Sequence, residues 1–426
     1  MEPVVLMGLF FLFLFSSLHI AVAIGLAVIT FTFIYPVGNL SFVALNMYTG
    51  LYSFPLLAIP FFCLVGTIME SGGLSRRLVN VANKLLGNTT SGLAIVTIVG
   101  CLFFGAISGS APATVAAIGG IMYPQMQKFG YHKEFAAGLI ATAGGLGIII
   151  PPSIPMVVYG VGTQTSIGDL FLAGIIPGIL CGLSLMGVAW YIGKKRGYGG
   201  TGENASFSEK ARAVWEAKWA LALPVIILGG IYGGIFTPTE AGVVGCVYGI
   251  IVGKFFYKEL KFKDIVAIFI DNASVVGIIF LTFGVANSLS FLVSFTQLPA
   301  TLGDIVGAIS RNKYVVLGII NVFLLVVGML MDTMSANLIF SPLLLAIVQP
   351  LGVDPVHFGV IVTINLALGF VTPPMATNLY LTSALTKVPV PEVVKESLPF
   401  VFAMIAALFL ITYIPSLSIG ILQLIR

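Results

Sequence analysis

Long apolar blocks separated by short polar intervals run the length of this chain, and their edges predict its helices. Residues 4–35 are almost wholly apolar and exceed one straight span of ~20 residues, so this block is tilted, kinked or divided. Met1-Glu2-Pro3 supplies no positive n-region, and the block reads as a retained helix rather than a cleaved signal. Residues 36–50 read as a loop, and 51–70 as a span kinked by Pro55 and Pro60. From Gly73 to Asn88, Leu74, Leu78, Val81 and Leu85 share one helical stripe beside Arg76, Arg77 and Lys84, as in a helix lying at a membrane interface. The block 91–124 carries Gly105 to Pro112 at its centre, and a re-entrant helical hairpin with its tip at Ser108–Pro112 accounts for so many breakers. A broken helix follows over 134–162, then a span over 170–193.

Residues 194–218 form the one markedly polar interval and read as a linker. Within it Phe207, Ala211, Val214, Trp215 and Lys218 stand at helical spacing, and Trp215 and Trp219 suit a membrane interface. Spans are predicted near 219–236, 240–253 and 264–295. A second hairpin is predicted over 313–350 with its tip at Asp332–Asn337, a second broken helix over 356–386, and a last span over 396–424. Thr239 is expected to cap the helix that carries Glu240 in its first turn.

The two broken helices carry one signature. Gly147-Ile148-Ile149-Ile150-Pro151-Pro152 returns 222 residues later as Gly369-Phe370-Val371-Thr372-Pro373-Pro374. Gly130 and Gly352 each stand 21 residues before a proline pair, and the breaker clusters at Gly105 and Gly328 stand 46 and 45 residues before it. The chain therefore divides into two repeats, 1–193 and 219–426, around the linker 194–218. Breaking a helix in lipid leaves backbone groups unpaired at several kcal/mol each, so matched breaks point to a use for the freed groups. Two interrupted segments in corresponding halves mark the binding site of a secondary transporter.

Composition narrows the class. The chain is 58% apolar and 8% charged, against about 25% charged in soluble domains. With a mean hydropathy of +1.09 it reads as an all-α polytopic membrane protein with room for about a dozen segments. The net charge of +4 is spread over loops and suggests no nucleic acid. Cys63, Cys101, Cys181 and Cys246 lie singly in apolar runs without disulfide or zinc spacing. No Walker A, zinc-protease or Rossmann pattern is present, so neither an enzyme nor an ATP-driven pump is indicated.

With the N-terminus in the cytoplasm and each hairpin entering and leaving on one side, 17 of the 20 basic residues fall inside. Arg311, Lys313 and Arg426 are the exceptions. The first hairpin then enters from the cytoplasm and the second from outside, which makes the halves inverted repeats.

A coupling cation needs hard oxygens, and the breaks supply them: unwound carbonyls near Gly147, Ile150 and Pro152, and near Gly369, Thr372 and Met375. The hairpin tips add Ser108 and Ser110 in one half, and Gly328, Asp332, Ser335 and Asn337 in the other. Asp332 in an apolar segment is a functional acid by default, and it can equally cap the hairpin turn. His19 and His357 read as packing or boundary residues, and Asp271-Asn272 as a pair near a basic loop.

At Gly105 through Thr114, Gly147 through Pro155, Gly369 through Asn378 and Thr237 through Gly242 the sequence resembles the large membrane subunit (M, DctM-like) of tripartite ATP-independent periplasmic (TRAP) transporters. The resemblance covers essentially the whole chain. It implies sodium-coupled uptake in a bacterial inner membrane, with a periplasmic substrate-binding protein and a small Q subunit on a separate polypeptide. It also implies an elevator mechanism, in which the hairpins and broken helices move against a scaffold. No cofactor beyond sodium is implied. One sodium site would use Ser108, Gly147, Ile150 and Pro152; the other would use Gly328, Gly369, Thr372 and Met375. Ser110, Asp332, Ser335 and Asn337 remain candidates for substrate contact or gating. An aliphatic, hydroxyl-rich site without an intramembrane Arg favours sialic acid over a dianion, with C4-dicarboxylates as the alternative. An autonomous sodium–anion symporter of related fold is the competing reading, told apart by whether a binding protein is needed. A channel or anchor would leave the duplicated breaks without a role.

Overall fold

The structure, a computed structural model, describes residues 2–16, 18–35, 40–200 and 205–425, and all regular structure in them is helical. The first apolar block is divided, into α1 (Glu2–Leu14) and α2 (Ile20–Ile34). Then follow α3 (Leu40–Leu51), α4 (Ala58–Ser71), α5 (Leu74–Leu86), α6 (Gly92–Ser108), α7 (Ala111–Lys128), α8 (Lys133–Gly144), α9 (Ile154–Thr163) and α10 (Ile167–Arg196). The linker yields α11 (Phe207–Glu216). Beyond it lie α12 (Lys218–Tyr232), α13 (Pro238–Ile251), α14 (Phe262–Phe295), α15 (Leu298–Ile309), α16 (Lys313–Leu330) and α17 (Thr333–Val348). The chain ends with α18 (Pro355–Gly369), α19 (Thr377–Thr386), α20 (Val390–Tyr413) and α21 (Ser416–Ile425).

Among the described residues seven helices are long and apolar enough to cross a membrane, or eight if α11 and α12, bent by 56°, count as one span. The figure is below a dozen because the breaker clusters cut several segments into pieces too short to span alone. Both predicted hairpins form: α6 turns into α7 at Gly109, whose φ is +59°, and α16 turns into α17 at Met331 and Asp332.

Several expectations need correction. Residues 40–51 are helical, not loop, because α3 packs along α14: Asn287 Nδ2 donates to Asn46 O at 2.7 Å, and the Phe42 and Phe291 rings meet edge-on at 4.8 Å. Residues 36–39 of that predicted loop lie outside the described residues. The last span splits at Ile414 and Pro415. Helix α15 falls where no element was expected. Thr237, not Thr239, caps α13: its hydroxyl accepts from Glu240 N at 3.3 Å, while Glu240 accepts from Thr237 N at 2.8 Å. Thr239 instead donates to Phe54 O at 3.1 Å. The expected stripe of α5 is covered by protein, with Leu74, Leu78 and Val81 buried against α6 and α11 and Leu85 alone exposed.

The N-terminus also lies elsewhere than expected. Helices α1 and α2 pack side by side, and their turn lines a cavity with Ile278, Ile279 and Thr282 at the middle of α14. Pro3 and Val4 line a groove with Leu298 and Ile347. They sit at the end of α14 opposite the turn that carries Lys254, Lys258 and Lys261. A polar Ser16 and His19 end the first helix halfway, which sends the chain back to the side it came from. No basic residue precedes Arg76, so the charge count is indifferent to this end.

At the lysine-rich end, Arg76 and Arg77 both reach Glu259, at 2.6 and 2.7 Å, and Arg77 lies 3.7 Å above the Tyr257 ring. This ties α5 to the turn between α13 and α14. Val4→Cys, 75% exposed, is expected to react with a membrane-impermeant thiol reagent from the same side as Ser310→Cys and the opposite side to Lys261→Cys. Labelling of Val4→Cys together with Lys261→Cys would put the N-terminus back in the cytoplasm.

Candidate functional site

The two breaks are built alike from glycine. A Cβ on Gly105 of α6 would lie 2.7 Å from Gly147 Cα, and a Cβ on Gly369 of α18 would lie 2.7 Å from Gly328 C of α16. Each hairpin's first helix thus meets the end of its broken helix backbone to backbone, a distance that no side chain permits. Both proline pairs, Pro151-Pro152 and Pro373-Pro374, are cis.

Around the first break, Ser108, Gly147 and Pro152 come together as expected. A Cβ on Gly147 would overlap Thr114 Oγ1 and lie 2.7 Å from Ser110 O. Thr114 Oγ1 donates to Ser110 O at 2.7 Å and stands 3.4 Å from Ser108 Oγ. Ser110 caps α7 by accepting from Ala113 N at 3.4 Å, so its hydroxyl is committed to the turn. Ile154 N donates to Gly109 O at 3.3 Å, and a Cβ on Gly109 would lie 2.7 Å from Pro152 O. Ile150 differs: its side chain packs on Gly178 of α10. Ser153 caps α9 and donates to Ile148 O at 2.5 Å across the unwound turn. The result is a cluster of backbone and hydroxyl oxygens at a buried kink. Such donors suit a small hard cation held by oxygen.

The second break repeats the arrangement with a carboxylate at its rim. Gly328 and Gly369 touch, Met375 N donates to Met329 O at 3.1 Å, and Thr372 Oγ1 donates to Leu368 O at 2.7 Å. Asp332 occupies the place of Ser110, 222 residues on, and caps α17. It accepts from Met334 N at 2.9 Å, Ser335 N at 3.1 Å and Ser335 Oγ at 2.5 Å. With Met375 it lines a cavity of about 780 Å³ that also takes in His19, Leu18 and Pro374. Asn337 does not reach this cavity. Its Nδ2 donates to Pro155 O at 2.7 Å and its Oδ1 accepts from Ser341, so it fastens the second hairpin to α9 of the first half.

Further polar groups gather at the second break without having been expected there. Asn365 Nδ2 donates to Asn321 Oδ1 at 2.7 Å, and Asn321 Nδ2 donates to Thr412 Oγ1 at 3.0 Å, all fully buried. A polar side chain inside an apolar run is the signal that marks Asp332, and it marks both asparagines as well. Asn378 bridges the halves, donating to Ala141 O at 3.1 Å from its side chain and to Phe370 O at 3.0 Å from its backbone. His357 is a packing residue as expected, with Nδ1 2.7 Å from Ser418 Oγ and Nε2 3.3 Å from Thr412 O.

Long apolar helices, two hairpins and two oxygen-lined breaks, the first buried and the second open to a cavity, define the class: a polytopic membrane carrier. The family follows from similarity. Residues 7–417 match the profile of the Tripartite ATP-independent periplasmic transporter, DctM component, and the chain belongs to that family. It is 44% identical over 97% of its length to the isethionate TRAP transporter permease protein DctMQ of Oleidesulfovibrio alaskensis, and spans 65% of that relative. It is 36% identical to the C4-dicarboxylate TRAP transporter large permease protein DctM of Rhodobacter capsulatus, covering 100% of both chains. To the sialic acid large permease SiaM of Vibrio cholerae it is 36% identical over 95% of both. Among solved structures the Alcanivorax borkumensis YdaH transporter shares the fold, with a TM-score of 0.63 at 14% identity over 87% of this chain and 86% of that one. The chain is thus a multi-pass protein of a bacterial inner membrane.

Gly147→Ala is expected to cut transport at least about tenfold, since the added methyl overpacks Thr114 and Ser110. Gly120→Ala, with open space around its Cβ, is the control. Uptake per inserted molecule checks this, and equal rates for the two variants would make the close approach at Gly147 dispensable.

Proposed function

We propose that this chain is the carrier subunit of a sodium-coupled system that takes up a small organic anion, together with a Q subunit and a periplasmic substrate-binding protein. The observation that carries the reading is the duplicated Gly–Gly contact, Gly105 on Gly147 and Gly328 on Gly369. It brings hairpin tip and unwound backbone together twice. On this reading one sodium ion takes oxygens of Ser108, Gly147, Ile150 and Pro152, Ile150 through its backbone, and the other those of Gly328, Gly369, Thr372 and Met375. Carbonyl ends of half-helices favour a cation, and N-terminal ends favour an anionic substrate.

The relatives carry different names for their substrates. Isethionate, C4-dicarboxylate and sialic acid relatives share 36–44% identity with this chain. A monoanion remains the better fit to an intramembrane region without Arg, and that description covers isethionate as well as sialic acid. The competing autonomous symporter has no such support from these relatives.

An elevator is supported by an asymmetry between the halves, read as inverted repeats. Helix α2 packs on α14 as α13 packs on α4, so the pairs α1–α2 and α12–α13 hold corresponding places. The α12–α13 turn shares a cavity of about 620 Å³ with Gln164–Gly168, between α9 and α10. The α1–α2 turn instead faces the second hairpin tip and Pro374. In a symmetric arrangement it would face the α19–α20 loop at Lys387. The hairpins and broken helices are displaced along the scaffold by that difference.

The function is tested by uptake into proteoliposomes holding this chain and its Q subunit. Isethionate, sialic acid and C4-dicarboxylates are supplied in turn, each with its binding protein, with and without an inward sodium gradient. Uptake that needs both sodium and the binding protein is expected. Uptake needing sodium alone would favour the autonomous symporter, and indifference to sodium would remove the coupling. The elevator is tested by disulfide trapping: Leu18→Cys is expected to cross-link to Met334→Cys in this state and to Lys387→Cys in the opposite one, with sodium and substrate shifting the ratio. A Leu18–Lys387 cross-link absent under every condition, with Leu18–Met334 retained, would argue for a fixed unit.

A further inference from the structure

We propose that α11 is a membrane foot that lies in the headgroup layer of the cytoplasmic leaflet and recognises anionic phospholipid. Its apolar stripe inserts among the acyl chains while Lys210, Arg212 and Lys218 hold the phosphates. Helix α11 is bent by 56° from α12, so when α12 crosses the membrane α11 turns toward its plane. Phe207, Ala211, Val214 and Trp215 recur at helical spacing and are all exposed, Phe207 to 88% and Trp215 to 68%.

The placement of charge around that stripe favours lipid as the occupant. At 3.6 residues per turn, Lys210 and Arg212 fall on its two flanks, and Glu209 and Glu216 fall on the side away from it. There Glu216 accepts from Arg212 Nε at 2.9 Å in a solvent-exposed pair worth little that a phosphate can displace. Lys218 Nζ stands 3.5 Å from the centre of the Trp215 ring, at the bend. Cations at headgroup height, aromatic side chains below them and acids turned away from the phosphates form the pattern of an interfacial helix on an anionic surface. The remaining face is taken by the protein itself: Ala213 and Ala217 are buried against Val81 of α5. Because α5 leads into α6, the foot also sets the height of the first hairpin's arm against the leaflet.

The test uses the full chain in vesicles, with Trp190→Phe and Trp219→Phe leaving Trp215 as the single tryptophan. Brominated phosphatidylglycerol at a fixed mole fraction is expected to quench Trp215 severalfold more strongly than brominated phosphatidylcholine. Lys210→Gln with Arg212→Gln should erase that preference, at about fivefold in local lipid enrichment per cation, while both lipids still quench. Glu209→Gln with Glu216→Gln should keep the preference or strengthen it, since Arg212 is then released from Glu216, and its loss would count against the proposal. Equal quenching by the two lipids in the unaltered helix would overturn the anionic recognition. Absence of quenching by either would overturn the foot altogether and leave a protein as the cover of the stripe.

Discussion

Everything in this molecule depends on the rule that backbone polar groups inside a bilayer must find partners. A break in a membrane helix is tolerated only where neighbouring protein closes over it. Here glycine makes that closure: Gly105 against Gly147, and Gly328 against Gly369, bring two backbones nearer than any side chain permits. Serine and threonine hydroxyls then bridge the loosened turns, Ser153 to Ile148 and Thr372 to Leu368. The cost of breaking two helices is met by packing, which leaves backbone and hydroxyl oxygens at a buried kink in the first half and at the edge of a cavity in the second.

The halves are alike in plan and unlike in setting. The cap of the first tip is Ser110 and that of the second is Asp332, so one rim is neutral and the other charged. A Cβ on Gly66 of α4 would lie 3.0 Å from Ser108 Cβ, so the first tip is pressed against its neighbour. The second tip opens on a cavity of about 780 Å³. Two buried links, Asn337 to Pro155 and Asn378 to Ala141, join elements of opposite halves. Those links fasten the second hairpin and both broken helices to one another.

Much of this was legible in the chain itself. Clusters of Gly, Pro and Ser at the centre of apolar runs announce the hairpins and breaks, because a continuous helix in lipid would not tolerate them there. The 222-residue shift even contains helix α15, which was missed: it is the counterpart of α5, whose basic residues made α5 conspicuous, while Leu298–Ile309 carries only Asp304 as a charge. Helix α3 was missed for the opposite reason, since Gly38, Asn39, Asn46 and Gly50 read as a loop until α14 offers a surface to pack on.

What the sequence by itself determined is the period: apolar blocks, the places where they break, and the membrane that follows from them, because each is set by local chemistry. Depth and partnership were decided only by the tertiary structure. Which end of α14 the N-terminus lies beside, that Asn337 fastens two halves while Asp332 faces a cavity, and that the stripe of α5 is covered while that of α11 is exposed all depend on contacts between distant segments. Two amphipathic stripes look the same along a chain. Only packing says which of them meets protein and which is left for lipid.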